Sequence, residues 1–235
     1  MKLYASLDIE KTGCKNLSHK ILSIGICCGT IEKYKEEKET GYELKIIHKS
    51  RINVKCDFPS LESCDSNFNS NFNSDFNSDF NSDFNSDFNN YGDFEERCWN
   101  SFWSKLDKNV LKDLQENALE EREALIQFDE LLKSLEEKYE LVFVTDNGSF
   151  DIACLDVKLE TYLDRKPIRY DSKNNYRDLY NSVDDMFYMI PEKERVRMEK
   201  ELIEPFSKHD HRPENDAERN LRMLHCVLSW KELQK

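Results

Sequence analysis

Phosphate-cradling glycine loops are missing from this sequence. Its six glycines nowhere form G-x-G-x-x-G or the P-loop pattern, which excludes a nucleotide site of either kind. No C-x-x-C pair occurs among the eight cysteines (Cys14, Cys27, Cys28, Cys56, Cys64, Cys98, Cys154 and Cys226). A zinc site drawn from Cys154, Cys226, His209 and His225 is conceivable, but the spacing fits no ligand pattern and is set aside. Free thiols in a reducing compartment, several of them in the core, are the expectation. There is no N-terminal signal peptide and no apolar run of membrane length, so the chain is expected inside the cell, away from membranes, in the cytoplasm with the nucleus left open. Basic excess is missing too: 34 Lys and Arg face 47 Asp and Glu, a net charge of −13. That balance argues against a surface that wraps nucleic acid. The deficit is uneven, however. Residues 150–235 hold 16 basic and 18 acidic side chains, the first 149 hold 18 and 29. A chain that gathers carboxylates around metal ions is acidic overall and still binds one strand end locally, so charge alone decides nothing.

What is present reads as one α/β domain over residues 1–235, long enough for a full core and short for two domains. Leu3, Ala5, Leu7 and Ile9 alternate as on a strand with one buried face. Residues 20–28 and 42–48 read as two further strands, and their short separations favour antiparallel neighbours. Residues 94–106 and 122–139 carry helical spacing, the second as an amphipathic helix through Ala124, Leu125, Phe128, Leu131, Leu132 and Leu135. Residues 141–144 form a strand-length apolar run that stops at the turn residues 145–149, and a helix opens at Asp151. Residues 168–171 look strand-like, 192–204 read as a charged helix, and Pro213 suits the first turn of a helix running to about Trp230.

Between Asn67 and Asn90 a four-residue unit, N-F-N-S and then D-F-N-S, places phenylalanine at 68, 72, 76, 80, 84 and 88. A helix of that period would carry an aromatic stripe. Asn, Ser and Asp fill the remaining positions and disfavour helix interiors, so a flexible polar insert at 66–90 is the expectation, tolerated in a surface loop. A partner-docking role is the alternative.

Chemistry concentrates at three places. Asp8 and Glu10 lie two apart on the first strand and project to the same side, where they repel unless a cation stands between them. Asp151 sits at a strand-to-helix junction, where open α/β sheets gather ligand-binding groups. An acid favourably placed at a helix N-terminus is the commoner explanation for a lone Asp. His211 precedes the last helix and Asp216 lies about one turn inside it. His209 and Asp210 compete on chemistry, and Asp178 is an accessory candidate for which a capping or surface role is favoured. Four carboxylates and a histidine suit hard cations such as Mg²⁺ or Mn²⁺, not zinc.

The residues Asp8-Ile9-Glu10-Lys11-Thr12-Gly13 resemble the first block, D-x-E-x-T-G, of the DnaQ-like 3′-to-5′ exonucleases of the DEDD type. Asn147-Gly148-Ser149-Phe150-Asp151 resembles the second block, N-x-x-F-D. His211 to Asp216 followed by Ala217 resembles the third block of the histidine (DEDDh) subclass. The resemblance implies a ribonuclease H-like fold with a mixed five-stranded sheet flanked by helices, interrupted by the low-complexity insert. It implies two ions, Mg²⁺ or Mn²⁺. Asp8 would bridge them, Glu10 and Asp216 would complete the tighter site, Asp151 would support the second, and His211 would act as general base. Thr12, Gly13 and Asn147 would hold the terminal nucleotide, and Phe150 would pack in the core. The expected substrate is the 3′ end of single-stranded DNA. An RNA-trimming member of the superfamily and a catalytically silent nucleic-acid-binding domain are the alternatives, with a polymerase or other protein partner left open.

Overall fold

A computed structural model describes residues 1–16, 18–35, 40–59, 92–171, 175–207 and 209–234. The phenylalanine repeat lies outside the described residues. The chain is α/β: a mixed five-stranded sheet with helices on both faces. β1 (Lys2–Lys11), β2 (Ile21–Lys35) and β3 (Thr40–Asn53) form an antiparallel meander. After α1 (Glu96–Ser101), a 3₁₀ turn (Trp103–Lys105), α2 (Lys108–Asp113) and α3 (Glu121–Glu136), the chain returns as β4 (Glu140–Val144), parallel to β1. α4 (Asp151–Leu163) leads to β5 (Leu179–Tyr180), again parallel. α5 (Val183–Tyr188), α6 (Glu192–Met198), a π-helical turn (Glu199–Ile203) and the long α7 (Pro213–Leu233) complete the order. The strands lie as β3-β2-β1-β4-β5, with β1 at the centre.

The alternation in β1 decides what covers each face. Leu3, Ala5, Leu7 and Ile9 are buried against Leu125, Phe128 and Leu132 of α3 and Ile152, Leu155 and Leu159 of α4. Full burial of one such aliphatic side chain contributes about 1.5–3 kcal/mol. Asp8 and Glu10 point to the other face, where Ala217, Leu221 and Leu224 of α7 pack with Val183 and Phe187 of α5. A third cluster gathers Leu22 of β2 with Phe94, Trp99, Trp103 and Leu111, so the aromatic run near residue 100 is core.

Several local readings change. The helical spacing of 94–106 becomes one short helix and a 3₁₀ turn, because Phe94, Trp99 and Trp103 meet edge to face instead of along a helix stripe. Residues 168–171 form no strand; Tyr170 makes an isolated bridge with Tyr176. Asp178 reaches Lys2 Nζ at 2.6 Å, an exposed ion pair. Cys154 and Cys226 lie in the cores on opposite faces of the sheet, so the zinc set is not assembled, and the seven described cysteines are free. No helix among the described residues is long and apolar enough to cross a membrane.

Candidate metal centre

Asp8 and Glu10 are carried by β1 and Asp216 by the first turn of α7. The register sets Asp8 opposite Gly25 of β2. A methyl group at Gly25 would overlap the Pro213 carbonyl group and the Glu214 amide, so the start of α7 rests directly on the β2 backbone. This contact needs a residue without a side chain, and Pro213 is well suited to the first helical position it occupies. One turn on, Asp216 comes to the β1 acids: one ligand oxygen from each of Asp8, Glu10 and Asp216 lies within 4.8 Å of the others. These three carboxylates could hold a metal ion, and a purely oxygen donor set fits a hard divalent cation.

The electrostatics agree with that fit. Burial, then Glu10, Asp151, Asp216 and Asp146, push the Asp8 carboxyl well above the usual range. Glu10 is pushed up by burial and by Asp216, Asp151 and Asp146. Anionic forms crowded in this way need a cation among them.

Asp151 stands beside the group but does not join it. Its Oδ1 accepts from the Ile9 amide at 3.1 Å and its Oδ2 from the Thr145 hydroxyl. Burial raises its pKa to about 7 and Asp146 adds to the rise, while those hydrogen bonds and Lys11 oppose it. Asn147 caps the turn into α4, its carbonyl accepting from the Phe150 and Asp151 amides, and its side chain is exposed and takes the Ser149 hydroxyl at 2.6 Å. Thr12 is fully buried; its hydroxyl accepts from the Lys20 amide at 3.1 Å and so ties β1 to β2. Gly13 lies against the His19 imidazole, with no room for a side chain between them.

In the histidine pair it is His209, not the expected His211, that meets Asp216. His209 Nδ1 lies 3.0 Å from Asp216 Oδ1, and that hydrogen bond raises the His209 pKa. His211 has a left-handed backbone (φ 58°), and its ring stands edge-on to Phe102 with centroids 4.8 Å apart. Burial, then the neighbouring His209, lowers its pKa. The two imidazoles are 4.6 Å apart between centroids.

A cleft of about 220 Å³ opens over the acids, lined by Asp8, Asp146, Asp184, Tyr188, His209, Asp216, Arg219 and Asn220. Asn220, 4% exposed, has an amide nitrogen with no hydrogen-bond partner, so the cleft wall holds an unspent donor. Asp146, Asp184, Arg219 and Asn220 escaped the sequence reading. Asp146 was detectable in principle, since it lies two residues past the carboxyl end of β4. Lys11 was also missed. Its ammonium is buried, 2.7 Å from Asn16 Oδ1 and 3.5 Å over the Phe150 ring centroid, which makes Phe150 a partner of Lys11 and leaves it only partly buried.

No protein-family model matches the chain, and no curated protein matches it either.

Proposed function

We propose that this protein is a metal-dependent 3′-to-5′ exonuclease of the DnaQ-like DEDDh kind, with a ribonuclease H-like fold, acting on single-stranded DNA 3′ ends. The observation that carries the reading is the convergence of Asp8 and Glu10 of β1 with Asp216 of α7 into one oxygen-donor group beside two imidazoles. Asp8, Glu10 and Asp216 would hold Mg²⁺ or Mn²⁺, with Asp151 supporting a second ion. Two such ions would supply charge stabilisation to the attacking and leaving oxygens of a phosphodiester. The chain's own residues do the rest. An imidazole of the His209–His211 pair takes the proton of the attacking water. The resemblance gives that role to His211; His209 is the one in direct contact with Asp216 and on the cleft wall. Asn220 offers a hydrogen bond to a bound phosphate oxygen, and the exposed Tyr188 at the rim gives a base an aromatic face on which to stack.

The test is a time course on 5′-labelled single-stranded DNA and RNA of equal sequence, with Mg²⁺, with Mn²⁺ and with a chelator. The expected result is a ladder shortening from the 3′ end, absent with the chelator and in Asp8→Ala. Faster loss of RNA would transfer the reading to an RNA-trimming enzyme. Strand binding by folded protein without any shortening would make it a silent nucleic-acid-binding domain.

A further inference from the structure

Nothing in the exonuclease reading needs a second imidazole near Asp216. We infer that His209, His211 and Asp216 form a second cation site, suited to a borderline divalent transition-metal ion such as Zn²⁺. One ligand atom from each lies within 4.8 Å of the others. The donor set differs in kind from the all-oxygen group on β1: two neutral nitrogens and one carboxylate match zinc-like ions, whereas Mg²⁺ takes oxygen. The inference therefore stands apart from the nuclease reading and survives its failure.

The loop before α7 is built to present these side chains. Asp210, between the two histidines, is turned to Arg212 Nη1 at 2.9 Å and Asn215 Nδ2 at 3.0 Å, so it is engaged elsewhere. Arg212 in turn grips Asp113 of α2 at 2.6 Å, which braces the loop from outside. Asp216 is held by the helix and already meets His209. Ligands about 2.0–2.1 Å from an ion stand roughly 3.3 Å apart at tetrahedral angles. The group must therefore close by about 1.5 Å at most, a movement that rotation about side-chain torsions supplies. The His209 side chain is 62% exposed and free to make it. The remaining positions around such an ion are left to water, as in open zinc sites.

Sharing has a consequence. Asp216 also belongs to the oxygen group with Asp8 and Glu10. An ion held by the histidines draws on the carboxylate that a hard cation on β1 needs, so the borderline ion and Mg²⁺ compete although their donor sets differ.

The experiment uses the full chain, stripped of metal by chelation and exchanged into chelator-free buffer, and titrated with Co²⁺ as a visible-absorbing stand-in for Zn²⁺. The expected result is a set of Co²⁺ absorption bands saturating near one equivalent, erased by Zn²⁺ and present also in Asp8→Ala. His209→Ala and His211→Asn should each weaken the binding by more than about tenfold, since each removes a direct ligand. Asparagine is chosen at 211 because it tolerates the left-handed backbone there. Thermal unfolding of each variant confirms that it is folded. Absence of bands, binding unchanged in both histidine variants, or binding lost in Asp8→Ala would overturn the inference.

Discussion

At the residue scale, the acids on β1 are placed where the metal-free protein is worst served by their charge. The sign of the pH effect follows from this. A carboxyl whose folded pKa is raised binds more protons in the folded than in the unfolded chain, so stability falls as pH rises through the interval between the two values. For Asp151 that interval runs from about 3.8 to about 7, and Asp8 and Glu10 act in the same direction. The melting temperature of chelated protein should therefore drop between pH 5 and pH 8 by more than that of protein with Mg²⁺; equal drops would mean that no ion is held there. Asp8→Asn should abolish strand shortening and yet melt higher than the wild type without metal, because it removes one repelling charge. His209→Asn and His211→Asn separate the two imidazoles. Loss of the general base costs about 10²–10⁴ in rate, and the variant that suffers this loss in kcat, with strand binding kept, identifies the base.

At the element scale, the site depends on how closely α7 can approach the sheet. Gly25→Ala inserts a methyl group between two backbones, neither of which is a flexible side-chain end. Overpacking of this kind costs about 1–3 kcal/mol. The variant should melt lower and need more Mg²⁺ for half-maximal activity, since α7 carries Asp216. A Mg²⁺ requirement unchanged from wild type would separate the helix position from ion binding. On the other face, Lys158 of α4 is buried against Glu121 at 2.9 Å, and Glu121 also receives the Ile21 amide at 3.0 Å. Lys158→Met strands that carboxylate, and denaturant unfolding should show a loss of about 3 kcal/mol.

Much of this level was legible in the sequence. The alternation of β1, the turn before α4 and Pro213 of α7 each carry a local signal, and the acids they position came with them. The short pieces carried none. β5 is two residues long and exists through its pairing with Phe143 and Val144. α2 and α5 are six residues each, too few for a period to show. The contact of His209 with Asp216 was illegible because it depends on the left-handed turn at His211, which brings a residue seven positions away to the carboxylate.

At the scale of the whole molecule, the residues flanking the phenylalanine repeat are clasped together. The Asp93 amide donates to the Asp57 carbonyl at 3.0 Å, and the Asp57 amide to Asp93 Oδ2 at 2.7 Å. A short glycine-serine bridge should therefore replace residues 66–90, since the folded ends already meet. The shortened protein should keep its melting temperature and its strand-shortening rate; loss of activity in a folded product would give the repeat a part in the chemistry. The same clasp divides the molecule into two natural halves. Residues 1–59 hold the meander with Asp8 and Glu10, while residues 92–235 hold β4, β5 and α7 with Asp151 and Asp216. The halves meet along the parallel β1–β4 seam and the α7 contact at Gly25. Produced as two separate polypeptides, they should reassemble, and neither alone owns a complete centre, so recovered activity would report reunion of the fragments directly.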